Sequence, residues 1–276
     1  MLQKGWIEPS TSEYSSPVLI IPKPPPSKKY RFVVDLRAVN ERTKRLTHYM
    51  PDLSAMFDKL KGASYISTFD LQHGFWQAAL DPATAHRTAF ACEYGTFQYK
   101  VVPMGLLSSA QFFQSFVETK LDRHGILYRK VHETSDLSDT YIDEDGVRCR
   151  GFCGAYVDDL IVFSRSAEDH RRHLTTLFEV LSSEHLYLNV EKSHCFCKYV
   201  RFLGCVCGQN HIFMDGDKIS AIIDMPEPKN SQGEVRSFLG AVGFYRRWIS
   251  NYSEMAQPLV ELLKGKDKKI KPGLWT

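Results

Sequence analysis

Two adjacent aspartates interrupt the most apolar stretch of the chain. Asp158 and Asp159 lie in the middle of residues 155–163, whose other members are apolar or aromatic. In a continuous strand one carboxylate would point into the core, where an unpaired charge costs several kcal/mol. The pattern therefore predicts a tight turn that places both carboxylates at the edge of a sheet. Their mutual repulsion there would be relieved by a cation.

A third carboxylate, Asp70, follows a β-branched and aromatic segment at 64–69. A strand that ends in a carboxylate holds that group rigidly at the edge of a turn. Three such carboxylates can hold two Mg²⁺ ions about 3.5–4 Å apart, with Mn²⁺ as an alternative ion. Phosphoryl transfer depends mainly on such a clamp. The competing interpretation is an ordinary aspartate-containing hairpin turn that binds no metal.

The rest of the chain mixes strand and helix patterns without a regular βαβ repeat. In the segment 167–186, for example, Leu174, Leu177, Phe178 and Leu181 recur at helical spacing and are expected to face the core. This mixture predicts the α+β class with a largely antiparallel sheet.

The charge of the chain is unevenly distributed. The formal net charge is only +3, which permits nucleic-acid binding without requiring it. Eight basic residues fall between positions 23 and 45, against two acidic ones. That segment is a candidate phosphate-contacting surface, and a solvated charged face is the alternative.

The cysteines and the lack of long apolar runs indicate the cellular setting. Seven cysteines without a signal peptide, and no apolar run near 18 residues, predict an intracellular protein with no membrane partner. It would lie in the cytoplasm or in a virus-like particle, with the nucleus left open. Four cysteines form two Cys-x-Cys pairs, at 195 and 197 and at 205 and 207. They are interpreted as small hydrophobic residues rather than zinc ligands, because zinc sites more often use C-x₂₋₄-C.

Short motifs in a fixed order extend over nearly the whole chain. They are IEPS at 7–10 with SSP at 15–17, YRFVVDLRAVN at 30–40, TFDL at 68–71 with GFWQ at 74–77, PMGL at 103–106, FQ at 113–114, YVDD at 156–159, NVEK at 189–192 with Cys195, FLG at 202–204, and RSFLG at 236–240 with YRR at 245–247. In this order they resemble the reverse transcriptases of Gypsy-type LTR retrotransposons and, more distantly, those of retroviruses.

The resemblance implies a right-hand polymerase fold. Fingers would span 1–64 and 82–101, the palm 65–81 and 102–208, and the thumb with the start of a connection 209–276. The implied activity is RNA-directed DNA polymerisation, in which a DNA or RNA primer is extended with deoxynucleoside triphosphates on an RNA or DNA template. The chain would be the polymerase portion of a pol polyprotein whose RNase H and integrase regions lie outside it.

The resemblance also implies roles for single residues. Asp70, Asp158 and Asp159 would be the catalytic, metal-binding triad. The nucleotide would be contacted by Arg31, Lys23, Phe75, Met104, Gly105 and Lys192, and the primer would be held by a grip formed of Phe202, Leu203 and Gly204. Among these, the Phe75 ring would exclude a 2′-hydroxyl, and Lys192 would protonate the leaving pyrophosphate.

One segment departs from the family pattern. Residues 131–150 carry six acidic and two basic residues between the palm elements, which predicts an inserted, solvated loop. Such an insertion also keeps a rival hypothesis open, in which the chain is a catalytically inactive nucleic-acid-binding remnant of a retrotransposon polymerase.

Overall fold

The computed structural model describes residues 1–23, 28–60, 62–130, 140–142, 146–208, 211–228 and 231–264. Two compact units make up the chain. The first comprises Met1–Val200 with Cys207–His211, and the second comprises Arg201–Val206 with Ile212–Thr276. The finer division into fingers, palm and thumb stays a prediction.

Strands and helices alternate irregularly along the described residues. The strands are β1 (Ile7–Pro9), β2 (Val18–Pro22), β3 (Tyr30–Val34), β4 (Tyr65–Leu71), β5 (Phe90–Cys92), β6 (Gly95–Tyr99), β7 (Arg129–Lys130), β8 (Thr140–Ile142), β9 (Arg148–Arg150), β10 (Cys153–Tyr156), β11 (Asp159–Ser164), β12 (Leu188–Cys197), β13 (Val200–Phe202), β14 (Cys205–Gly208) and β15 (His211–Met214). The helices are α1 (Arg37–Glu41), α2 (Leu53–Asp58), α3 (Pro82–Ala85), α4 (Ser109–Arg123), α5 (Ala167–Ser183), α6 (Gly216–Ile223), α7 (Gln232–Gly243) and α8 (Tyr252–Glu261).

A four-stranded antiparallel sheet forms the centre of the first unit. Its strand order is β10-β11-β4-β12, so that the two strands carrying the aspartates are direct neighbours. Helices α4 and α5 cover the sheet with apolar side chains. The core residues from these helices and strands include Phe69, Leu71, Phe113, Val117, Leu121, Leu160, Val162, Leu174, Leu177 and Leu181. The predicted α+β class is confirmed.

Helix α5 illustrates how the sequence sets an element. Its N-cap, Ser166, accepts a hydrogen bond from the backbone N–H of Asp169 (3.1 Å), and acidic residues occupy the first turn, where the helix dipole favours them. Leu174, Leu177 and Leu181 are buried as predicted, but Phe178 is 43% exposed. The prediction for Phe178 was wrong because that residue lies at the margin of the apolar stripe, where its ring meets that of Phe69 edge-to-face with centroids 5.6 Å apart.

Two smaller sheets flank the N-terminal part of the first unit. Strands β1, β6 and β5 form one sheet in that order, and β2 pairs with β3 in a hairpin. A second apolar cluster lies here, consisting of Ile7, Val34, Leu36, Phe90 and Tyr99.

The segment 131–150 differs from the predicted loop. Strands β7, β9 and β8 form a sheet, which places Thr140–Ile142 and Arg148–Arg150 in regular structure. Cys149 is fully buried, with its sulphur 3.0 Å from the hydroxyl of Tyr128, and Arg150 pairs with Asp122 at 3.1 Å. The described part of the segment therefore packs on the first unit. The acidic residues at 133, 136, 139, 143, 144 and 145 lie outside the described residues.

The second unit is mainly helical. Helix α6 begins at Asp215, whose carboxylate accepts from the N–H of Asp217 (3.1 Å), and α7 begins at Ser231, whose hydroxyl accepts from the N–H of Glu234 (3.2 Å). Helix α7 packs against α8. In the described part of the chain, no helix has the length and apolar character needed to cross a membrane.

Candidate active site

The Asp158-Asp159 pair lies at the turn between β10 and β11, as predicted. Tyr156 and Asp159 are paired at the end of the hairpin, which leaves only Val157 and Asp158 between the strands. Val157 has φ of +54°, in the left-handed region. For a β-branched residue this conformation costs roughly 1–2 kcal/mol, so other contacts must hold the turn.

Gln114 on α4 supplies those contacts. Its Oε1 accepts from the backbone N–H of Val157 (2.6 Å), and its Nε2 donates to the carbonyl of Ala155 (3.0 Å). The side chain is completely buried, and Nε2 also donates to Glu118 (2.9 Å). The amide thus holds the backbone on both sides of Tyr156, directly before the Val157-Asp158 turn.

Asp70 completes a group of three carboxylates at one edge of the sheet. It is the cross-strand partner of Asp159, and the backbone N–H of the next residue, Leu71, donates to the carbonyl of Asp158 (2.8 Å). Lys192 on β12 contributes the positive charge, with its Nζ 2.9 Å from Oδ2 of Asp70. Three carboxylates and one ammonium group therefore meet at this edge.

The electrostatics of the group are unfavourable for three ionised aspartates. Burial raises the pKa of Asp159 to about 6, and the charges of Asp158 and Asp70 add to the effect. Burial also raises the pKa of Asp158. The hydrogen bond to Asp70 raises the pKa of Lys192, which keeps that side chain protonated.

This donor set suits a hard divalent cation, because Mg²⁺ and Mn²⁺ prefer carboxylate oxygens and a cation would offset the repulsion. However, within the described ranges no three His, Cys, Asp or Glu side chains are already arranged around a potential ion position. The ammonium of Lys192 donates a hydrogen bond to Oδ2 of Asp70.

The cysteine pairs are divided in their surroundings. Cys205 and Cys207 are fully buried, which matches their interpretation as small hydrophobic residues. Cys195 is exposed, so the same interpretation was wrong for it. None of the seven cysteines forms a disulfide.

A 3₁₀ turn, Gly74–Gln77, follows Asp70 and approaches Asp158. Gly74 has φ of +32°, and a Cβ on it would lie 3.3 Å from the Cβ of Asp158. The next residue, Phe75, is half-buried, and its ring packs edge-on against Phe113 at a centroid distance of 5.3 Å. Phe75 is thus carried by the turn that touches a catalytic candidate.

The other predicted nucleotide contacts lie on different elements. Arg31 and Lys23 are exposed in and beside the β2–β3 hairpin, where Arg31 is paired with Ile21. Met104 is 48% exposed. Gly105 has φ of +95°, which favours glycine.

The predicted primer grip belongs to the second unit. Phe202 is buried, while Leu203 and Gly204 form the turn between β13 and β14 with φ of +48° and +77°. The hydroxyl of Tyr245 donates to the carbonyl of Gly204 (2.8 Å) and holds this turn.

Three amide side chains were present in the sequence motifs without an assigned role. Besides Gln114, Asn40 donates to the carbonyl of Gly105 (2.7 Å) and accepts from the N–H of Leu107 (2.8 Å). Gln77 accepts from the N–H of Tyr187 (2.8 Å) and donates to its carbonyl (2.9 Å). Each bridges two segments that are distant in sequence. In the sequence, these residues could have been recognised as amide side chains within apolar segments. The pattern is clearest for Gln114, which lies between Phe113 and Val117.

Comparisons with known proteins indicate one family. A family model described as reverse transcriptase (RNA-dependent DNA polymerase) matches residues 21–207. The Pol polyprotein of the transposon opus from Drosophila melanogaster is 34% identical over 98% of this chain, and that of the gypsy transposon is 29% identical over 98%. The enzymatic polyprotein of figwort mosaic virus is 30% identical over 96%.

Solved structures of a foamy viral protease-reverse transcriptase are also similar. One with double-stranded DNA has a TM-score of 0.78, and one with an RNA/DNA hybrid has a TM-score of 0.75, each at 25% identity over the full chain. This chain covers 43% and 33% of those proteins. It spans about a quarter of the length of the two transposon polyproteins, at 25% and 24%.

Proposed function

This chain belongs to the reverse transcriptase (RNA-dependent DNA polymerase) family, and we propose that it extends a DNA or RNA primer with deoxynucleotides on an RNA or DNA template. The observation that carries this proposal is the cluster of Asp70, Asp158 and Asp159 at one sheet edge, with Lys192 beside it. The foamy viral relatives, whose structures contain double-stranded DNA or an RNA/DNA hybrid, support nucleic-acid partners.

The three aspartates would hold two divalent cations, Mg²⁺ or Mn²⁺, through their carboxylate oxygens. When bound, such ions lower the pKa of an attacking hydroxyl and stabilise negative charge on a leaving group. The Gln114 clamp keeps the Asp158-Asp159 turn in its strained conformation, which fixes the two carboxylates. A fixed arrangement matters because electrostatic catalysis depends on groups that do not reorganise during the reaction.

Lys192 has two roles in this proposal. Before metal binding, its ammonium group neutralises Asp70. In the reaction, its protonated Nζ would donate a proton to the leaving pyrophosphate. Nζ is protonated at neutral pH like any ordinary lysine, and the hydrogen bond to Asp70 raises its pKa further.

The remaining residues would bind substrates. Phe75 would lie beneath the sugar of the incoming nucleotide and exclude a 2′-hydroxyl. Arg31 and Lys23 would contact its phosphates, since both are exposed and cationic. Met104 and Gly105 would line the base pair that forms. In the second unit, Phe202, Leu203 and Gly204 would contact the primer.

Primer extension by Asp158→Asn tests the metal assignment. A neutral amide is a poor magnesium ligand, so we expect activity to fall by at least about a hundredfold while primer-template binding stays near wild type. Asp52→Asn is the matched control, because it makes the same charge change at an exposed helix N-cap whose side chain makes no capping bond. If Asp158→Asn retains a tenth of the activity, the assignment is wrong. A wild-type chain that binds primer-template but never extends it would instead favour the inactive nucleic-acid-binding remnant.

Phe75→Val tests the sugar contact separately. The smaller side chain should open space for a 2′-hydroxyl, so the preference for deoxynucleotides over ribonucleotides should fall. Steady-state kcat/KM values for both nucleotide types give this ratio. An unchanged ratio would remove Phe75 from this role without affecting the metal assignment.

A further inference from the structure

Trp6, near the start of the chain, packs against the turn that carries Phe75. Its ring centroid lies 4.4 Å from that of Trp76 and 4.8 Å from that of His73. The rings of His73 and Trp76 are in turn stacked, with centroids 5.6 Å apart and planes 20° apart. We call Trp6, His73 and Trp76 the Trp6 cluster. It joins two segments that are far apart in sequence.

Trp6 is itself held in place by the first sheet. Its carbonyl accepts from the backbone N–H of Lys100 (2.9 Å), and the next residue, Ile7, is paired with Tyr99 in β6. On the other side, the ammonium of Lys4 lies 4.7 Å from the centroid of the Trp6 ring. The tryptophan is therefore anchored independently of the turn that it contacts.

The turn beneath the cluster is strained. His73 has φ of 61° and ψ of 11°, in the left-handed region, and Gly74 follows with φ of +32°. A non-glycine residue in this region costs about 1–3 kcal/mol and persists only where surrounding contacts impose it. Here the rings of Trp6 and Trp76 contact His73 at one end of the turn. At the other end, two hydrogen bonds join the Gln77 side chain to the backbone of Tyr187.

The strained turn adjoins two groups of the proposed active site. Phe75 lies between the two ends that these contacts hold. Gly74 is so close to Asp158 that a Cβ added to the glycine would lie 3.3 Å from the Cβ of the aspartate. Relaxation of His73 would therefore shift the ring of Phe75 and the backbone beside Asp158.

We propose that Trp6 is a positioning residue for nucleotide selection. It acts through His73 and Trp76 to hold the ring of Phe75 in the position where it excludes a 2′-hydroxyl. The inference rests on the proposed function, in which Phe75 contacts the sugar. It adds a residue that lies outside the motifs and assigns a role to the segment before β1.

The first experiment compares three variants of the full chain. Trp6→Ala removes the ring contacts, Trp6→Phe keeps an aromatic ring, and Tyr14→Ala is the matched control. Tyr14 is another aromatic residue of the N-terminal segment, and its ring contacts His86 at a centroid distance of 5.6 Å, on a different turn.

The measured quantity is the ratio of kcat/KM for a deoxynucleotide to kcat/KM for the matching ribonucleotide. We expect Trp6→Ala to lower this ratio about tenfold, because small displacements at a reacting centre change rates by one to two orders of magnitude. Trp6→Phe and Tyr14→Ala should keep the wild-type ratio. If Trp6→Ala reduces both kcat/KM values equally, its role is only structural and the proposal is overturned. Should Trp6→Ala fail to fold, Trp6→Leu replaces it, since leucine keeps apolar bulk without a ring.

A double-mutant cycle tests the route of action. Because Trp6 acts through the turn that carries Phe75, adding Trp6→Ala to Phe75→Val should change the ratio little beyond Phe75→Val alone. Independent, multiplicative effects would contradict the proposal.

Hydrogen exchange provides a readout that does not depend on catalysis. The N–H groups of Trp76 and Ala78 donate to the carbonyls of His73 (2.9 Å) and Phe75 (3.1 Å) and report on the turn. Both should exchange faster in Trp6→Ala than in Tyr14→Ala. If the wild-type chain makes no DNA, the proposed function fails, and exchange alone then decides whether Trp6 holds the turn. Equal protection in both variants would overturn the proposal.

Discussion

Neutralising Asp159 should stabilise the metal-free protein at neutral pH, although the residue belongs to the proposed catalytic triad. Asp159 is held beside two other carboxylates, and its pKa is raised from 3.8 to about 6, mainly by burial. The ionised form is therefore less favourable in the folded chain than in the unfolded chain. Asp159→Asn removes this penalty and leaves a side chain of the same shape.

The magnitude follows from the size of the shift. A difference of about two pKa units corresponds to roughly 3 kcal/mol, at 1.36 kcal/mol per unit. Asp159 is partly exposed and is coupled to Asp158, so solvent screening reduces the gain to about 1–2 kcal/mol.

The sign of the pH dependence is fixed by the raised pKa. Between pH 3.8 and about pH 6 the folded chain binds more protons at Asp159 than the unfolded chain does, so its free energy of unfolding falls as the pH rises. The penalty is complete above about pH 6. Asp159→Asn should thus exceed the wild type in stability at pH 7.5, and the difference should vanish near pH 3.8.

Urea unfolding in the presence of EDTA measures this difference, with Asp52→Asn as the control for the change in net charge. Adding Mg²⁺ should stabilise the wild type more than Asp159→Asn and narrow the difference, because a ligand that binds the folded state more tightly stabilises it more. The reasoning is refuted if Asp159→Asn is no more stable than the wild type at pH 7.5, or if its advantage persists unchanged at low pH.

Three further predictions concern Gln114, His170 and the segment 131–150. Gln114→Leu should lower the free energy of unfolding by about 1–3 kcal/mol, because the partly buried N–H of Val157 loses its acceptor. It should also reduce extension, and urea unfolding together with primer extension checks both effects. His170 is buried between the hydroxyls of Ser67 (2.7 Å) and Ser164 (2.8 Å), and burial lowers its pKa to about 4. The stability that neutral His170 provides should be complete above about pH 6.5 and should be lost as the pH falls toward 4. In urea unfolding at a series of pH values, the free energy of unfolding of the wild type should therefore exceed that of His170→Gln by less and less across this range. Replacing residues 131–139 by a short linker should preserve the melting temperature and keep or raise template affinity at low salt, since three acidic residues are lost; removal extended through Arg150 should lower the melting temperature, because Cys149 is a core residue.

The sequence was most informative where the local chemistry allows few backbone conformations. Two aspartates in an apolar run predicted a turn at Asp158, and β10 and β11 flank it as expected. Leu174, Leu177 and Leu181 recur at helical spacing in the sequence, and all three are buried in α5 as predicted. These features depend on neighbours in sequence, which a pattern can show.

Contacts between distant segments were harder to predict. Nothing in the sequence indicated that Lys192 would hold Asp70, or that Gln77 would bind the backbone of Tyr187. The resemblance placed Lys192 near the leaving group, yet its pairing depends on the register of β12 with β4, which includes a shift between Asn189 and His194. Such a register is set by packing over the whole sheet, so local pattern does not determine it.

The segment 131–150 shows why composition misleads at the junction of an insertion with a core. Its acidic character predicted a solvated loop throughout, because a charged stretch cannot usually bury enough apolar surface to fold. However, the residues that join it to the first unit are constrained by their neighbours: Arg129 and Lys130 pair with Arg150 and Cys149, and Arg150 reaches Asp122 on α4. An insertion must leave and re-enter the fold at adjacent points, and two antiparallel strands satisfy the backbone hydrogen bonds at that place. The strands at the junction therefore belong to the core of the first unit, close to β10 in the chain. For this reason, removal of residues 131–139 alone should preserve the melting temperature, whereas removal through Arg150 should lower it.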